Sequence, residues 1–215
     1  MSVTGEAGGS PMKHGIALAD VLAGKDAAVA VLAALVARAS SGVGRHVDVS
    51  LQASAEAALV NVAQNVLVSG SAAQRWGNAH ANLVPYQLFQ ARDRALVIAV
   101  GSDAQWVACA RALLLDVADD ETLRTNAGRV AARARVVESI AARVAERPAD
   151  EWRARLDAAG VPCGVVRTVR EVLADVDASA LTGMPPSVPG RVRRPPPRLG
   201  EHTVLVRDAG WRAFA

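Results

Sequence analysis

The longest uninterrupted run of apolar side chains in this sequence extends from Ala27 to Ala37, and it strongly constrains the fold. The run lies within a helical pattern from Ile16 to about Ala39 that is apolar on nearly every face. Such a pattern is typical of a helix that is buried on all sides, so we expect it to lie in the interior of the protein. The run is shorter than the roughly 18 to 20 apolar residues that a membrane-spanning helix needs. No membrane association is therefore predicted.

A single short strand is predicted after this helix. The helix is expected to end at Gly42, and apolar and polar residues alternate from His46 to Leu51 as in a half-buried strand. A second helix is predicted from about Ala53 to Val68, ending at Gly70. One strand between two helices has no partner with which to form a sheet. We therefore expect the other strands to come from another chain or from a missing N-terminal part of the protein.

The remainder of the chain predicts a small α+β unit and a tail. A long loop from Ser69 to Pro85 precedes a hairpin with strands at Tyr86–Ala91 and Ala95–Val100. The further predicted elements are helices over 102–115, 126–146 and 149–159, a strand over 161–166, a helix capped by Thr168 and Glu171, a Pro-rich linker over 183–198 and a short helix after Gly200.

Composition and charge narrow the classes of function. Aromatic residues make up 3% of the chain, too few for the stacking platforms of single-strand nucleic-acid binding. The net charge is +3, and Lys13 and Lys25 are the only lysines, every other basic residue being arginine. These arginines are scattered among acidic neighbours, so no nucleic-acid partner is predicted. Cys109 and Cys163 lie in apolar stretches, which predicts buried free thiols, and neither they nor the histidines show metal-ligand spacing.

Five stretches, in order along nearly the whole chain, resemble the family III CoA-transferases, the CaiB/BaiF-like group that includes the α-methylacyl-CoA racemases. They are Ser2–Gly5 with Gly15–Gly24, Ser41–Leu51, Arg75–His80 with Val84–Gln87, Ala159–Gly164, and Pro197–Thr203. Each stretch alone is a weak signal, whereas their combination is specific. The resemblance implies an α/β fold, with part of a Rossmann-like large domain and a small α+β domain, in an interlocked homodimer.

The resemblance also implies a division of the chain into family domains. Family members have about twice the length of this chain. An ordinary domain has ~100–200 residues, so family members are long enough for more than one domain. This chain resembles their C-terminal half to two-thirds and lacks the first Rossmann-like portion, which supplies most of the strands and much of the CoA site. Residues 1–70 are then part of the large domain, residues 71–165 the small α+β domain, and residues 166–215 the linker and the return to the large domain.

Asp20 is the predicted catalytic residue. It matches, in position and neighbours, the aspartate that is the nucleophile of the transferases in this family. Independently, a carboxylate at the start of a buried apolar helix is kept ionised by the helix dipole while it is poorly hydrated. Such a carboxylate can attack a thioester carbonyl. By position alone, a charge that stabilises the helix start is the better explanation of Asp20, and it is the resemblance that favours the nucleophile.

Gly77, Asn78 and His80 are the predicted substrate-binding residues. They lie where the resemblance places a glycine-rich loop that covers the active site and shields a water-labile anhydride. This sequence departs from the multi-glycine form, because Gly77 is the only glycine between Trp76 and His80. Asn78 or His80 is expected to donate a hydrogen bond to a developing oxyanion, the alternative being that both are solvated loop residues.

Three functions are compatible with the resemblance. The first is transfer of CoA between an acyl-CoA and a carboxylic acid through an aspartyl anhydride and thioester at Asp20. The second is an α-methylacyl-CoA racemase, which would share Asp20 but whose histidine lies in the N-terminal portion that this chain lacks. The third is a catalytically inactive fragment. We expect the first, with CoA as a substrate, no separate cofactor or metal, and a cytoplasmic location.

Overall fold

The structure, a computed structural model, describes residues 1–174 and 197–213. The chain divides into two compact units, Met1–Val165 and Val166–Ala215. Nearly all of the predicted Pro-rich linker over 183–198 lies outside the described residues. The assignment of residues 1–70, 71–165 and 166–215 to family domains stays a prediction. Within the described part of the chain, no helix has the length and apolar character needed to cross a membrane.

The first unit begins with an irregular segment and three helices. The helices are α1 (Leu18–Ser41), α2 (Leu51–Ala57) and α3 (Val60–Ser69). α1 packs against α2, and between them the Ser54 hydroxyl donates a 2.6 Å hydrogen bond to Asp26 Oδ2. α1 ends where predicted, because Gly42 adopts a left-handed φ of 72° that costs little without a Cβ atom.

α1 is not buried on all sides, so that prediction is wrong for this chain. Ala23 is its one buried residue, whereas Val29, Leu32 and Val36 are 67%, 62% and 73% exposed. The apolar pattern correctly indicated a helix. Burial, however, requires other parts of the fold to cover the helix, and among the described elements α1 packs chiefly against α2.

Two further local predictions are wrong in the same region. Residues 43–50 form no regular element, because a strand needs a partner and none of the described strands pairs with this segment. The helix predicted from Ala53 to Val68 is two helices, since Val60 has a φ of 39° that a continuous right-handed helix does not contain. Likewise, the helix predicted over 126–146 is interrupted at Ala132, whose φ of −100° and ψ of 24° are not helical.

The remainder of the first unit is an antiparallel sheet with helices packed on it. β1 (Tyr86–Gln90) and β2 (Ala95–Ala99) form the predicted hairpin, and β3 (Cys163–Val165) pairs with β2, so the strand order is β1-β2-β3. The helices are α4 (Asp103–Ala112), α5 (Asn126–Ala131), α6 (Arg133–Val144) and α7 (Ala149–Ala158), with a 3-10 turn at Glu121–Leu123.

The hydrophobic core lies between this sheet and its helices. Trp106, Trp152 and Ile98 are at its centre, each no more than 1% exposed. Arg129 is buried among them, and it is 1% exposed. The small α+β part of this chain therefore has a core of its own, in contrast to α1.

The second unit has short helices. They are α8 (Val169–Ala174) and α9 (Thr203–Ala209), the latter followed by a 3-10 turn at Gly210–Arg212. α8 begins with the predicted capping box. The Glu171 N–H donates to Thr168 Oγ1 at 3.2 Å, and the Thr168 N–H donates to Glu171 Oε2 at 2.6 Å. These reciprocal bonds satisfy backbone donors that a helix start otherwise leaves free.

Candidate active site

Asp20 lies in the first turn of α1, where the sequence predicted it. Ala17 precedes the helix and provides no side-chain cap, so the carboxylate is the anionic group at the positive end of the helix dipole. The Asp20 side chain is exposed, because α1 itself is largely uncovered. Its position at the helix start is therefore confirmed, whereas the predicted poor hydration is wrong for the residues that the structure describes.

A pocket of about 720 Å³ opens beside Asp20. Most of its lining is apolar and comes from the N-terminal segment, the start of α1 and the turn between α2 and α3. The ionisable side chains that line it are Lys13, His14 and Asp20. A cavity of this size with apolar walls and a few polar groups is the usual form of a small-molecule site.

Gly77 lines the same pocket as Asp20. Its N–H donates a 3.0 Å hydrogen bond to the Gly5 carbonyl, and its φ of 58° favours glycine. Asn78 is exposed and is not part of the pocket lining. The structure thus brings together the predicted nucleophile and one of the three predicted loop residues.

His80 also lies outside the pocket lining, and its contacts hold the loop. Its Nδ1 accepts a 3.0 Å hydrogen bond from the Asn82 N–H, so a neutral ring carries its proton on Nε2. The ring stacks on Tyr86 with centroids 5.2 Å apart. The oxyanion contact expected of Asn78 or His80 stays a prediction.

Arg75, which sequence reasoning missed, joins two of the stretches that resemble the family. Its Nη1 donates to the Ser2 carbonyl at 3.1 Å and its Nη2 to the Gly9 carbonyl at 2.5 Å. Together with the bond between Gly77 and Gly5, these contacts fasten the N-terminal segment to the loop. The sequence contains a signal for these contacts, because the loop over 69–85 has one arginine and no acidic residue with which it could pair. Such an arginine is expected to bind backbone carbonyls.

Gly5 is needed where the N-terminal segment turns against this arginine. Its φ is 130°, and a Cβ atom at this position would lie 2.6 Å from the Ser10 carbonyl oxygen. A backbone oxygen cannot move aside as a flexible side chain can. The glycine of the Ser2–Gly5 stretch therefore has a steric role in shaping one wall of the pocket, to which Val3 and Thr4 contribute.

Arg133, also missed, holds the far end of the loop. It donates to the His80 and Ala81 carbonyls at 3.1 and 2.7 Å. Its guanidinium carbon lies 4.8 Å from the centre of the Trp76 ring, a cation–π contact. Partial burial lowers the pKa of Arg133 from its ordinary value. Two arginines thus fix the loop, Arg75 by its bonds to the N-terminal segment and Arg133 by its contacts with residues 76–81.

A second cavity of about 540 Å³ lies along α3 and the loop. At its edge the Asn65 and Asn82 side chains exchange amide hydrogen bonds of 3.1 and 3.0 Å. None of its lining residues is ionisable, so it lacks a nucleophile or a general base. The Asp20 pocket is therefore the stronger candidate site.

Neither cysteine is a candidate nucleophile. Cys109 is buried as predicted, whereas Cys163 is only half-buried. Burial raises the pKa of Cys109 to about 12. Burial, with a smaller contribution from the nearby Asp157 carboxylate, raises the pKa of Cys163 to about 11. Both are therefore thiols rather than thiolates at neutral pH.

Among the described residues, no group of three or more histidine, cysteine or acidic side chains is arranged to bind a metal ion.

Relatives and solved structures resemble this chain over nearly its whole length. It is 34% identical to the succinyl-CoA:glutarate CoA-transferase of Mus musculus over 94% of this chain and 51% of that protein. It is 35% identical to the succinate–glutarate CoA-transferase of Agrobacterium fabrum, over 96% of this chain and 56% of that protein. The chain thus spans about half the length of these relatives.

The fold of this chain is also similar to that of a solved structure over nearly the whole chain. The crystal structure of a CAIB/BAIF family protein from Brucella suis is 33% identical and superposes with a TM-score of 0.71, covering 97% of this chain and 59% of that one. This similarity confirms the predicted fold class. The sequence model of CoA-transferase family III matches residues 1–203. The chain therefore belongs to CoA-transferase family III.

Proposed function

We propose that this chain is the nucleophile-bearing part of an acyl-CoA:carboxylate CoA-transferase. The observation that carries the proposal is that Asp20 and Gly77, from two separate stretches of the family pattern, line one pocket of about 720 Å³. The names of the relatives from mouse and Agrobacterium fabrum support succinyl and glutaryl groups as the class of acyl group.

The proposed reaction consists of four acyl transfers at one carboxylate. An Asp20 oxygen attacks the thioester carbonyl and the C–S bond breaks, so CoA leaves as a thiolate and the acyl group is joined to Asp20 in a mixed anhydride. The thiolate attacks the Asp20 carbonyl of the anhydride, which forms an aspartyl-CoA thioester and releases the first carboxylate. The acceptor carboxylate then attacks this thioester, which gives a second anhydride and CoA thiolate. The thiolate finally attacks the acceptor's carbonyl and regenerates the Asp20 carboxylate.

The described residues suit the first of these steps. Asp20 lies in the first turn of α1, at the positive end of the helix dipole, and its carboxylate is open to an approaching thioester. Gly77 contributes only backbone to the pocket lining, and a Cβ atom at this position would lie 3.0 Å from Glu6 Oε2. Exclusion of water from the anhydride needs further cover, since Asp20 is exposed.

We propose that this cover comes from the rest of a family-length protein or from the second chain of an interlocked homodimer. The support is the exposed apolar surface of α1, where Val29, Leu32 and Val36 are each more than half exposed. Contiguous apolar surface of this kind is typical of surfaces that bind other polypeptide.

Trapping of the anhydride tests the proposal. The chain is assayed alone and co-expressed with the part of the Agrobacterium fabrum relative that it does not match, with succinyl-CoA and hydroxylamine. We expect a hydroxamate on the peptide that contains Asp20 and none in Asp20→Asn. Asp26→Asn is the matched control, because Asp26 is on the same helix but is hydrogen-bonded to Ser54. A hydroxamate on Asp48 or Glu201, or full transfer by Asp20→Ala, would contradict the assignment. Exchange of the α-proton with solvent deuterium, without hydroxamate, would favour the racemase.

A further inference from the structure

The two lysines of this chain lie in different surroundings. Basic residues are otherwise arginine throughout, yet Lys13 lines the Asp20 pocket. Lys25 is an exposed residue of α1 and is not part of that lining. A lysine ammonium is a compact point charge on a flexible stem, which suits a single anionic group at a variable distance. Lys25 therefore serves as a natural control for any property of Lys13.

Lys13 has no partner among the described residues. It makes no ion pair or hydrogen bond within the described ranges 1–174 and 197–213. Asp20 lines the same pocket, but the two side chains are not within the 4.0 Å of an ion pair. The pocket thus holds an acid and a cation that are not neutralised by each other. Both charges remain free for groups of a ligand.

The remainder of the pocket strengthens the field of this cation. Most of the other lining side chains are apolar, among them Ile16, Leu22 and Leu59. A charge at the edge of an apolar concavity attracts a counter-ion more strongly than one on an open surface, because low-dielectric walls concentrate its field. An anionic group attached to an apolar chain would satisfy both the walls and Lys13.

We propose that Lys13 binds the distal carboxylate of a dicarboxylic acyl group whose thioester carbonyl lies at Asp20. This inference rests on the proposed function. The thioester end of such a group is neutral, so it can approach the Asp20 carboxylate without repulsion, and a single carboxylate remains for Lys13. Phosphate groups of CoA are another source of anions, but doubly charged phosphates are generally held by several donors, often bidentate arginines. Lys13 is accordingly a specificity-determining residue for dicarboxylic over monocarboxylic acyl groups.

Protection of lysine from acetylation tests this inference on the chain itself, without CoA. Monomethyl glutarate mimics the bound group, because it has one neutral ester and one carboxylate. At ten times its dissociation constant it would occupy about 90% of the sites and slow the acetylation of Lys13 about tenfold. Lys25 should be acetylated at an unchanged rate. Dimethyl glutarate, which is neutral, and inorganic phosphate should protect neither lysine. The rates are measured peptide by peptide by mass spectrometry.

Calorimetric titration of variants completes the test. Lys13→Met should weaken the binding of monomethyl glutarate roughly tenfold, whereas Lys25→Met should leave it unchanged. Because Lys13 is exposed, its replacement is not expected to affect folding, which a thermal melt checks. The inference is overturned if both lysines are protected equally or not at all, if phosphate protects Lys13 as well as the ester does, or if Lys13→Met binds normally. If no hydroxamate forms on Asp20 although monomethyl glutarate still protects Lys13, the proposed function is overturned and the inference about Lys13 is not.

Discussion

Replacement of Arg129 should reveal how a buried guanidinium holds the small α+β part together. Arg129 donates to the carbonyls of Val84, Leu123 and Arg124 at 2.7, 3.0 and 3.2 Å, and to Asp103 Oδ1 at 2.9 Å. In Arg129→Met, a side chain of similar reach fills the space but donates nothing. The three carbonyls then lose a donor that water does not readily replace, since the site is 1% exposed.

The magnitude follows from these contacts. Each buried acceptor left without a donor costs about 1–3 kcal/mol, and such costs are not additive within one network. The cation–π contact with Trp106, at 5.4 Å from the ring centre, is lost as well. We therefore expect Arg129→Met to lower the free energy of unfolding by about 3–5 kcal/mol, because three buried carbonyls lose their donor together.

Asp103→Asn is the matched control. The Asp103 side chain is 54% exposed, so its charge is screened, and the amide retains an acceptor for Arg129. We expect a loss of about 0–1 kcal/mol. Urea unfolding followed by tryptophan fluorescence measures both variants, because Trp106 and Trp152 are buried in this core. If Arg129→Met costs less than about 1 kcal/mol, or if Asp103→Asn costs as much as Arg129→Met, then the carbonyl contacts do not carry the stability.

The remaining predictions concern the cysteines and two of the glycines. Because its pKa is raised to about 11 from 9.0, Cys163 in the folded protein should react with iodoacetamide at pH 8 about a hundredfold more slowly than in urea. Raised thiol pKa values also mean that the thiolate favours the unfolded state, so stability should fall as the pH rises from 9 towards 11 and 12, as pH-dependent melts would show. Equal alkylation rates of Cys163 in buffer and in urea would refute the raised pKa of this thiol. A Cβ at Gly128 would lie 1.9 Å from the Thr122 carbonyl oxygen, so Gly128→Ala should destabilise by about 1–3 kcal/mol. Gly24→Ala, with open space on α1, should stabilise by about 0.5–1 kcal/mol, and similar melting temperatures for these two variants would contradict the steric argument.

Features that depend on a few neighbouring residues could be predicted from the sequence. Two strand-like stretches on either side of a short charged turn predicted the hairpin, in which Tyr86 lies opposite Ala99. Ser102 and Thr168 cap α4 and α8, and Gly42 ends α1, because each acts on backbone groups within a few residues. Asp20 at the helix start belongs to the same class.

Features that depend on distant residues were decided by the tertiary structure alone. The same apolar pattern that defines α1 cannot tell whether any surface covers it, and the alternation over 46–51 cannot supply a partner strand. Arginines look alike in the sequence, yet Arg75 reaches the Ser2 carbonyl 73 residues away, and Arg129 reaches that of Val84 45 residues away. The pocket itself is of this kind. Lys13, Asp20 and Gly77 meet in it because the chain folds back on itself, and no local pattern encodes that return.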